Sequence, residues 1–240
     1  MPTVAEVMDK VARECRASVP NDWVAATGST YMELKDLLIE TADELLDRVD
    51  WPDPISKDVT ITGTGVETYA LPSDFKRLTR DDLAVYETTT TRRAGIPVTS
   101  RGAWTHLEEM GSAGASRFYR LSGDEENGHE ISFFQDLATG DEVIVSYVSR
   151  NWLTIAGTGG YAWTDTSAIL LFPRRLIEMG VSWRFRQRKG LPYIAKMNEY
   201  EGALARAAND RRGVKKVCFG DAGEDYKPMR VPVPDFIPSS

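Results

Sequence analysis

The chain begins with two segments in which apolar residues recur every three or four positions, the spacing of an amphipathic helix. In the first, over residues 3–17, Thr3 and Glu6 form a capping-box pattern at the amino-terminal end. The second covers residues 30–49 and is followed by two prolines in residues 51–54, which cannot continue a helix. The pattern therefore predicts two helices before residue 52.

After these prolines the apolar period changes to two, which is typical of short strands separated by turns. The strands are short, their loops are polar, and no crossover helix is expected between them. These features favour a small sandwich or open barrel over a doubly wound dinucleotide-binding sheet. The predicted strands cover residues 59–62, 67–71, 83–87, 117–121, 130–134 and 142–149.

Helical spacing returns near residue 166, with Pro173 either in a first turn or at a kink, and a last helix is predicted from residue 193. Each of the four helices shows one apolar face, so the two pairs are expected to pack together. The predicted fold class is α+β: a four-helix bundle formed by the N- and C-terminal helix pairs, an inserted small antiparallel β-sandwich or barrel, and an extended C-terminal arm. The predicted domains are 1–52 with 164–212 for the bundle, 53–163 for the inserted β domain and 213–240 for the arm.

The net charge of −7 is divided unevenly, with −13 in residues 1–165 and +6 in residues 166–240. Two interpretations stay open: each part solvates its own surface, or the molecule has an acidic and a basic end suited to head-to-tail contacts. A compact basic nucleic-acid reader is disfavoured, because the isoelectric point is near 5.0.

The two cysteines, Cys15 and Cys218, cannot form a disulfide framework or a four-cysteine zinc site. No apolar run approaches the roughly 20 residues of a membrane helix, and the first residues lack the pattern of a secretion signal. We therefore expect a soluble protein, made in a reducing cytoplasm, that has no membrane partner.

The sequence contains few residues that could form a catalytic, metal or phosphate-binding site. His106 and His129 lie in turn-rich surroundings without a third partner at metal-ligand spacing. The glycine-rich residues 157–160 lack the strand before them and the lysine-bearing helix start after them that a phosphate loop needs, so a flexible loop is expected. Neighbouring acidic pairs in loops do not indicate an acid and a base across a cleft. No catalytic residue, metal site or cofactor is predicted.

Charged positions on the predicted helices are candidates for contacts between copies of the chain. A run of arginines near residue 186 could contact phosphates, cap a helix C-terminus or pair with the acidic helix of a neighbouring subunit, and the last reading is favoured. The inter-subunit candidates are Arg184, Arg186, Arg188, Asp36, Glu40 and Asp43.

Residues 213–240 contain four prolines and no regular apolar spacing, so they predict an arm without a core of its own. Within it, residues 231–238 alternate apolar residues with prolines, which lowers the entropy lost when such a segment is fixed against a partner. A docking arm and a disordered tail both remain possible interpretations.

Four segments together carry a family resemblance: the acidic second helix over residues 33–51, the strand and turn over 67–78, and the strands 117–121 and 140–147. In their order and spacing, followed by a helix pair, they resemble the head-to-tail adaptor proteins of tailed bacteriophages. This group includes the tail tubular, or gatekeeper-type, proteins of short-tailed phages. The resemblance covers roughly residues 3–212.

The resemblance implies a structural protein of the virion neck, not an enzyme, made in the host cytoplasm. Such adaptors form a ring, usually of twelve copies, below the portal protein. The ring continues a channel through which double-stranded DNA passes without sequence-specific binding, and it docks the next tail component, a nozzle, stopper or tail tube protein. C-terminal segments of such adaptors often reach into the portal. The portal-interaction candidates that this implies here are Arg211, Arg212, Lys215, Lys216, Tyr226, Phe236 and Ile237.

Two alternatives stay open beside the adaptor. One is another virion structural protein of similar layout, such as a stopper or a tail terminator. The other is a carbohydrate-binding or hydrolytic module built on the β segment, which needs carboxylates and aromatic side chains converging in a cleft.

Overall fold

A computed structural model describes residues 2–89, 93–111, 117–124 and 126–211, of Arg211 only the backbone. These residues form five helices and eleven strands. The helices are α1 (Val4–Glu14), α2 (Ser29–Arg48), α3 (Arg101–Met110), α4 (Arg174–Arg188) and α5 (Ile194–Arg211). The strands are β1 (Ser56–Thr62), β2 (Thr68–Ala70), β3 (Phe75–Leu78), β4 (Val85–Glu87), β5 (Ile96–Pro97), β6 (Phe118–Asp124), β7 (Gly128–Phe133), β8 (Glu142–Ser149), β9 (Leu153–Ile155), β10 (Thr158–Gly160) and β11 (Ile169–Leu170).

The strands form three sheets. In the first, β8 pairs antiparallel with β1 along one edge and with β3 and β4, one after the other, along its second edge. The second has the order β2-β7-β6-β5, and the third has the order β10-β9-β11. Side chains of the first two sheets share one apolar core, which includes Ile61, Phe75, Val145, Ile131 and Phe133.

The other core is shared by α1, α2, α4, α5 and the third sheet, and α4 lies at its centre. α4 packs against α1, α2 and α5, and its residues 176–182 are all buried. Leu153 and Leu170 of the third sheet join the same core. The start of α1 is tied to this sheet, because the Val4 N–H donates to the Ala168 carbonyl at 2.8 Å.

The predicted four-helix bundle is wrong. The sequence pattern assigned one apolar face to every helix, as a ring of four helices requires. In the structure the middle of α4, residues 176–182, is buried on all sides, and the other three terminal helices pack mainly against α4. A sheet that was not predicted closes the remaining side of the same core.

The predicted single antiparallel sandwich or barrel is also wrong, because the strands belong to three sheets. β5 and β6 run parallel, with Ile96 opposite Phe118, and α3 connects them. The sequence interpretation had excluded such a crossover helix. Residues 157–160, expected to be a flexible loop, include β10, which pairs with β9. The predicted arm over residues 213–240 lies outside the described residues, and the division into domains stays a prediction.

Candidate assembly surfaces

A cation lies inside the helical part of the molecule. Arg184 of α4 is only 6% exposed. Its guanidinium donates hydrogen bonds to Thr41 Oγ1 and Glu40 Oε1, both at 3.3 Å, and to the Glu44 carboxylate. It also lies 4.4 Å from the centre of the Trp183 ring, a cation–π contact. Arg184 therefore joins α4 to α2 within one chain.

Glu44 is the acceptor at the centre of these contacts. Besides Arg184, it accepts hydrogen bonds from Arg48 Nη1 at 2.6 Å and from the Tyr200 hydroxyl at 3.0 Å. Burial disfavours its charged form, but the hydrogen bonds from Arg48 and Arg184 outweigh this and hold the pKa of Glu44 below its ordinary value. Arg48 also binds Glu201 of α5 through two hydrogen bonds of 2.8 and 2.6 Å. We call these five residues the Glu44 network, which connects α2, α4 and α5.

A second polar connection joins α1 to α4. The buried carboxylate of Glu178 accepts hydrogen bonds from Lys10 Nζ at 2.6 Å and from Arg174 Nε at 2.5 Å, which provide the donors that a buried charge needs. One turn later, the Ser182 hydroxyl donates to Glu14 Oε2 at 3.2 Å. Burial raises the pKa of the neighbouring Cys15 thiol to about 11.

The first sheet holds the C-terminal end of α2. Arg77 of β3 donates from Nη2 to the Leu46 carbonyl at 2.8 Å and from Nη1 to Asp50 at 2.6 Å. Arg80 donates to the Arg48 carbonyl at 2.9 Å. The last carbonyls of a helix lack partners within the helix and attract cations, so these arginines fix α2 against the sheet.

Asp74 joins three strands of the first sheet at the same end. It accepts hydrogen bonds from Lys57 Nζ at 2.7 Å, the Ser149 hydroxyl at 2.8 Å and the Tyr147 hydroxyl at 3.0 Å. Burial raises the pKa of this carboxyl, but the hydrogen bonds from Lys57, Ser149 and Tyr147 more than offset it, and the pKa lies below its ordinary value.

A cleft of about 730 Å³ lies where α2, α5 and the first sheet meet, and its wall carries charges of both signs. Asp50 on this wall accepts hydrogen bonds from Arg77 Nη1 and from the Arg80 backbone N–H. Asp58 accepts a hydrogen bond from the Ser146 hydroxyl at 2.6 Å. The carboxylates of Asp50 and Asp58 therefore serve contacts within the chain and do not indicate an acid and a base acting on a substrate.

The predicted inter-subunit residues fall into two groups. Four of them form ion pairs within the chain: Arg184 and Arg188 bind Glu40, at 3.3 and 3.1 Å, and Asp43 binds Lys76 at 3.2 Å. Asp36, which is exposed, and Arg186, which is half-buried, have no ion-pair partner within the described part of the chain. A role of these residues between subunits stays a prediction.

The predicted portal-interaction residues lie at or beyond the end of α5. Arg211 is the last residue of that helix, and its side chain is not described. The other six candidates, Arg212, Lys215, Lys216, Tyr226, Phe236 and Ile237, lie outside the described residues.

Sequence reasoning missed a pocket beside the second sheet. α3 and the β5–β6 pair enclose about 570 Å³, lined among others by Pro97, Trp104, Arg120 and Leu121. The Arg120 guanidinium lies 4.6 Å from the centre of the Trp104 ring. The local signal for α3 was present, because the Ser100 hydroxyl accepts from the Ala103 N–H as an N-cap and Gly111 ends the helix in the left-handed region.

The described ranges contain neither a membrane-spanning helix nor a cluster of metal ligands. No helix there is long and apolar enough to cross a bilayer. No group of three or more histidine, cysteine, aspartate or glutamate side chains comes together there as a metal site.

Comparison with known protein families gives a match over nearly the whole chain. The model of the family described as SU10 adaptor protein matches residues 2–230. A search of curated proteins found no match. The matched region includes every described residue and extends beyond α5. The chain therefore belongs to the SU10 adaptor protein family, a family of phage head-to-tail adaptors.

Proposed function

We propose that the protein forms a ring below the portal protein of a tailed phage, continues the DNA channel there and docks the next tail component. Family membership supports the adaptor role. Twelve copies are proposed because adaptors that the sequence resembles commonly have that number. The protein acts in the virion neck, and no catalytic step is proposed.

The proposed ring is supported by the charges of Asp36 and Arg186, which have no ion-pair partner within the described part of the chain. A closed ring needs two complementary patches at different places on each copy, so that every copy contacts the next head to tail. Most charged groups around α2 and α4 are paired within the chain, but Asp36 and Arg186 are not. We propose that Asp36 of one copy pairs with Arg186 of the next.

The exposed carboxylates of α2 suit a surface beside passing DNA. Apart from Asp36, which is proposed for the contact between copies, Glu40, Asp43 and Asp47 are exposed. Like charge disfavours binding to the phosphates of the duplex, so DNA would move past such a surface without adhering.

The segment after α5 is the proposed contact with the portal. Arg211, Arg212, Lys215 and Lys216 bring four positive charges into six residues, and Tyr226 follows. We propose that this basic stretch binds an acidic surface of the portal, which electrostatic complementarity would orient and accelerate.

Electron microscopy tests the ring. The purified protein is imaged in negative stain alone and after mixing with the portal protein of the same phage. In the mixture we expect a ring of density on one face of the portal, whether or not the protein alone also forms rings. A portal that stays bare, or that carries isolated copies without a ring, contradicts the proposal.

A charge exchange tests the proposed contact between copies. Asp36→Arg and Arg186→Asp should each place like charges opposite one another and prevent ring formation, whereas the double variant should restore it. As a matched control, Arg175→Asp reverses an exposed arginine that pairs with Glu199 on the same chain, at 3.4 Å. The control should leave ring formation unchanged. If both single variants fold but the double variant does not form rings, the interface between copies is made by other residues.

A further inference from the structure

One edge of the second sheet is open along part of β6. β7 pairs with β6 over its whole length, but β5 pairs only with Phe118 and Tyr119. The Phe134 N–H donates to the Phe118 carbonyl on the β7 side, and backbone groups alternate between the two sides of a strand. The N–H and C=O groups of Leu121 therefore face the outer edge. Within the described residues, no strand or loop bonds to them there.

The pocket between α3 and β6 lies beside this open edge. Its volume is about 570 Å³, and Pro97, Trp104 and Leu121 contribute apolar wall. The Leu121 side chain is 43% exposed. An open strand edge next to an apolar pocket is the arrangement by which sheets take up an extended peptide as an additional strand.

A cation in the same pocket lacks an acceptor. Arg120 lies over the Trp104 ring and has no hydrogen-bond or ion-pair acceptor within the described part of the chain. Arg120 Nε and Trp104 Nε1 are both buried, and neither has a hydrogen-bond partner among the described residues. Trp104 is 2% exposed, and nearly all polar groups that are buried so deeply have partners in native proteins. A carboxylate would match the planar donor fork of the guanidinium.

The chain itself contains a segment that fits this site. In residues 231–235, prolines 232 and 234 alternate with Val231, Val233 and Asp235. If such a segment is extended, the three residues that have N–H groups direct them to one edge and the prolines face the other, so it can join a sheet by one edge only. Asp235 offers a carboxylate, and Phe236 and Ile237 offer apolar surface. The 19 residues of 212–230 can span at most about 65 Å, which allows them to reach a neighbouring copy.

We propose that residues 231–237 of one copy add to the outer edge of β6 in another copy, with Asp235 against Arg120. Phe236 and Ile237 then lie against the apolar wall of the pocket and not on the portal, whereas the basic residues after α5 remain available for the portal. The proposal rests on the assembly of copies proposed above and names a second contact within it.

Cross-linking between two full-length variants tests this contact. Both carry Cys15→Ser and Cys218→Ser, and one adds Leu121→Cys while the other, with a different tag, adds Val233→Cys. After mixing, alone and with the portal, a short bismaleimide should give a product that carries both tags. As a matched control, Val66→Cys places an exposed thiol near the opposite edge of the same sheet, next to β2. It should give at least tenfold less product.

Two further variants test the role of charge. Arg120→Met in one chain, or Asp235→Asn in the other, should each lower the yield of the mixed product at least tenfold. Asp235→Asn lies outside the described fold, so it remains informative if Arg120→Met impairs folding. Equal yields from Leu121→Cys and Val66→Cys, or yields unaffected by both charge variants, overturn the proposal.

The same samples are imaged to separate this contact from the ring. Rings without the mixed product overturn the arm contact and leave the ring in place. Mixed product without rings supports the arm contact and contradicts the ring. Absence of both contradicts both proposals.

Discussion

Gly180 of α4 lies so close to Thr41 of α2 that there is no room for a side chain between them. A β-carbon at position 180 would lie 2.4 Å from Thr41 Cγ2 and 3.2 Å from Tyr200 Cε2. The close approach of the two helices brings Arg184, one turn further along α4, to Glu44. The Glu44 network therefore depends on the absence of a side chain at Gly180.

Gly180→Ala should destabilise the protein. The added methyl group must push α2 or Tyr200 away from α4, and overpacking of this kind costs about 1–3 kcal/mol of unfolding free energy. Urea denaturation followed by circular dichroism measures the change. Gly202→Ala is the matched control, because among the described residues a β-carbon at position 202 of α5 meets only Arg206 Nη1, at 3.8 Å.

The control should become more stable by about 0.5–1 kcal/mol, since alanine is the better helix former. If Gly180→Ala were as stable as the unmodified protein, the α2–α4 contact would be looser than the structure indicates.

Local signals in the sequence were sufficient to locate most helices and strands. The capping box of α1 is confirmed, because the Thr3 hydroxyl accepts from the Glu6 N–H and the Glu6 carboxylate accepts from the Thr3 N–H. Pro173 proved to be the N-cap of α4, so that helix begins later than predicted. Caps, prolines and apolar spacing act within a few residues, which is why they can be read from one segment at a time.

Contacts between distant segments could not be predicted from these local signals. The seven consecutive buried residues of α4 include Glu178, Gly180 and Ser182, and their polar or small side chains hide the burial from any apolar pattern. β9 and β11 have three and two residues, too few to show a period of two. Their pairing depends on partners elsewhere in the chain.

The same limit applies to the candidate sites. The residue types show that Arg184 and Glu40 carry opposite charge, and the helix pairs were expected to pack together, but the sequence did not show that these two side chains meet within one chain. Their pairing depends on Gly180, whose role is visible only once Thr41 is seen opposite it. Trp104 and Arg120 were missed because they meet across a crossover that was not predicted.

Arg184→Met should destabilise the isolated chain. Methionine retains most of the apolar contact but removes the hydrogen-bond donors to Glu44 and Glu40. The partly buried carboxylate of Glu44 then loses one of the hydrogen bonds that offset the cost of its burial. We expect a loss of about 2 kcal/mol of unfolding free energy. Arg175→Met, which breaks an exposed pair with Glu199, should change it by less than about 0.5 kcal/mol.

Denaturation of dilute protein distinguishes the two possible roles of Arg184. If Arg184 acted only between subunits, Arg184→Met would leave the unfolding free energy of the single chain unchanged and would reduce assembly alone.

Acid should weaken the fold through Glu44 and Asp74. The pKa of each carboxyl is lower in the folded chain than its ordinary value near 4, so the unfolded chain binds more protons over this range. Their contribution is complete above about pH 5.5 and is lost as the pH falls through the folded values. The unfolding free energy of the unmodified protein should therefore fall from about pH 5 downward.

The double variant Glu44→Gln/Asp74→Asn removes both titrating groups. It should be less stable at pH 7, and its unfolding free energy should decline less steeply between about pH 5 and 3. Urea denaturation at half-unit pH intervals gives both slopes. Parallel acid slopes for the two proteins would show that other carboxyls dominate.

The Cys15 thiol should react slowly in the folded protein. Burial is the main cause of its raised pKa of about 11, and hydrogen bonding to Ser182 and the charge of Arg186 offset it only in part. At pH 8.5 about 0.3% of such a thiol is ionised, against about half of an ordinary cysteine. In a Cys218→Ser background, iodoacetamide should therefore label native protein about 100-fold more slowly than urea-unfolded protein. In a Cys15→Ser/Cys218→Ser background, the exposed thiol of Val66→Cys should react at similar rates in both states. A native Cys15 rate within tenfold of the unfolded rate would show that the half-buried position of this thiol does not raise its pKa to about 11.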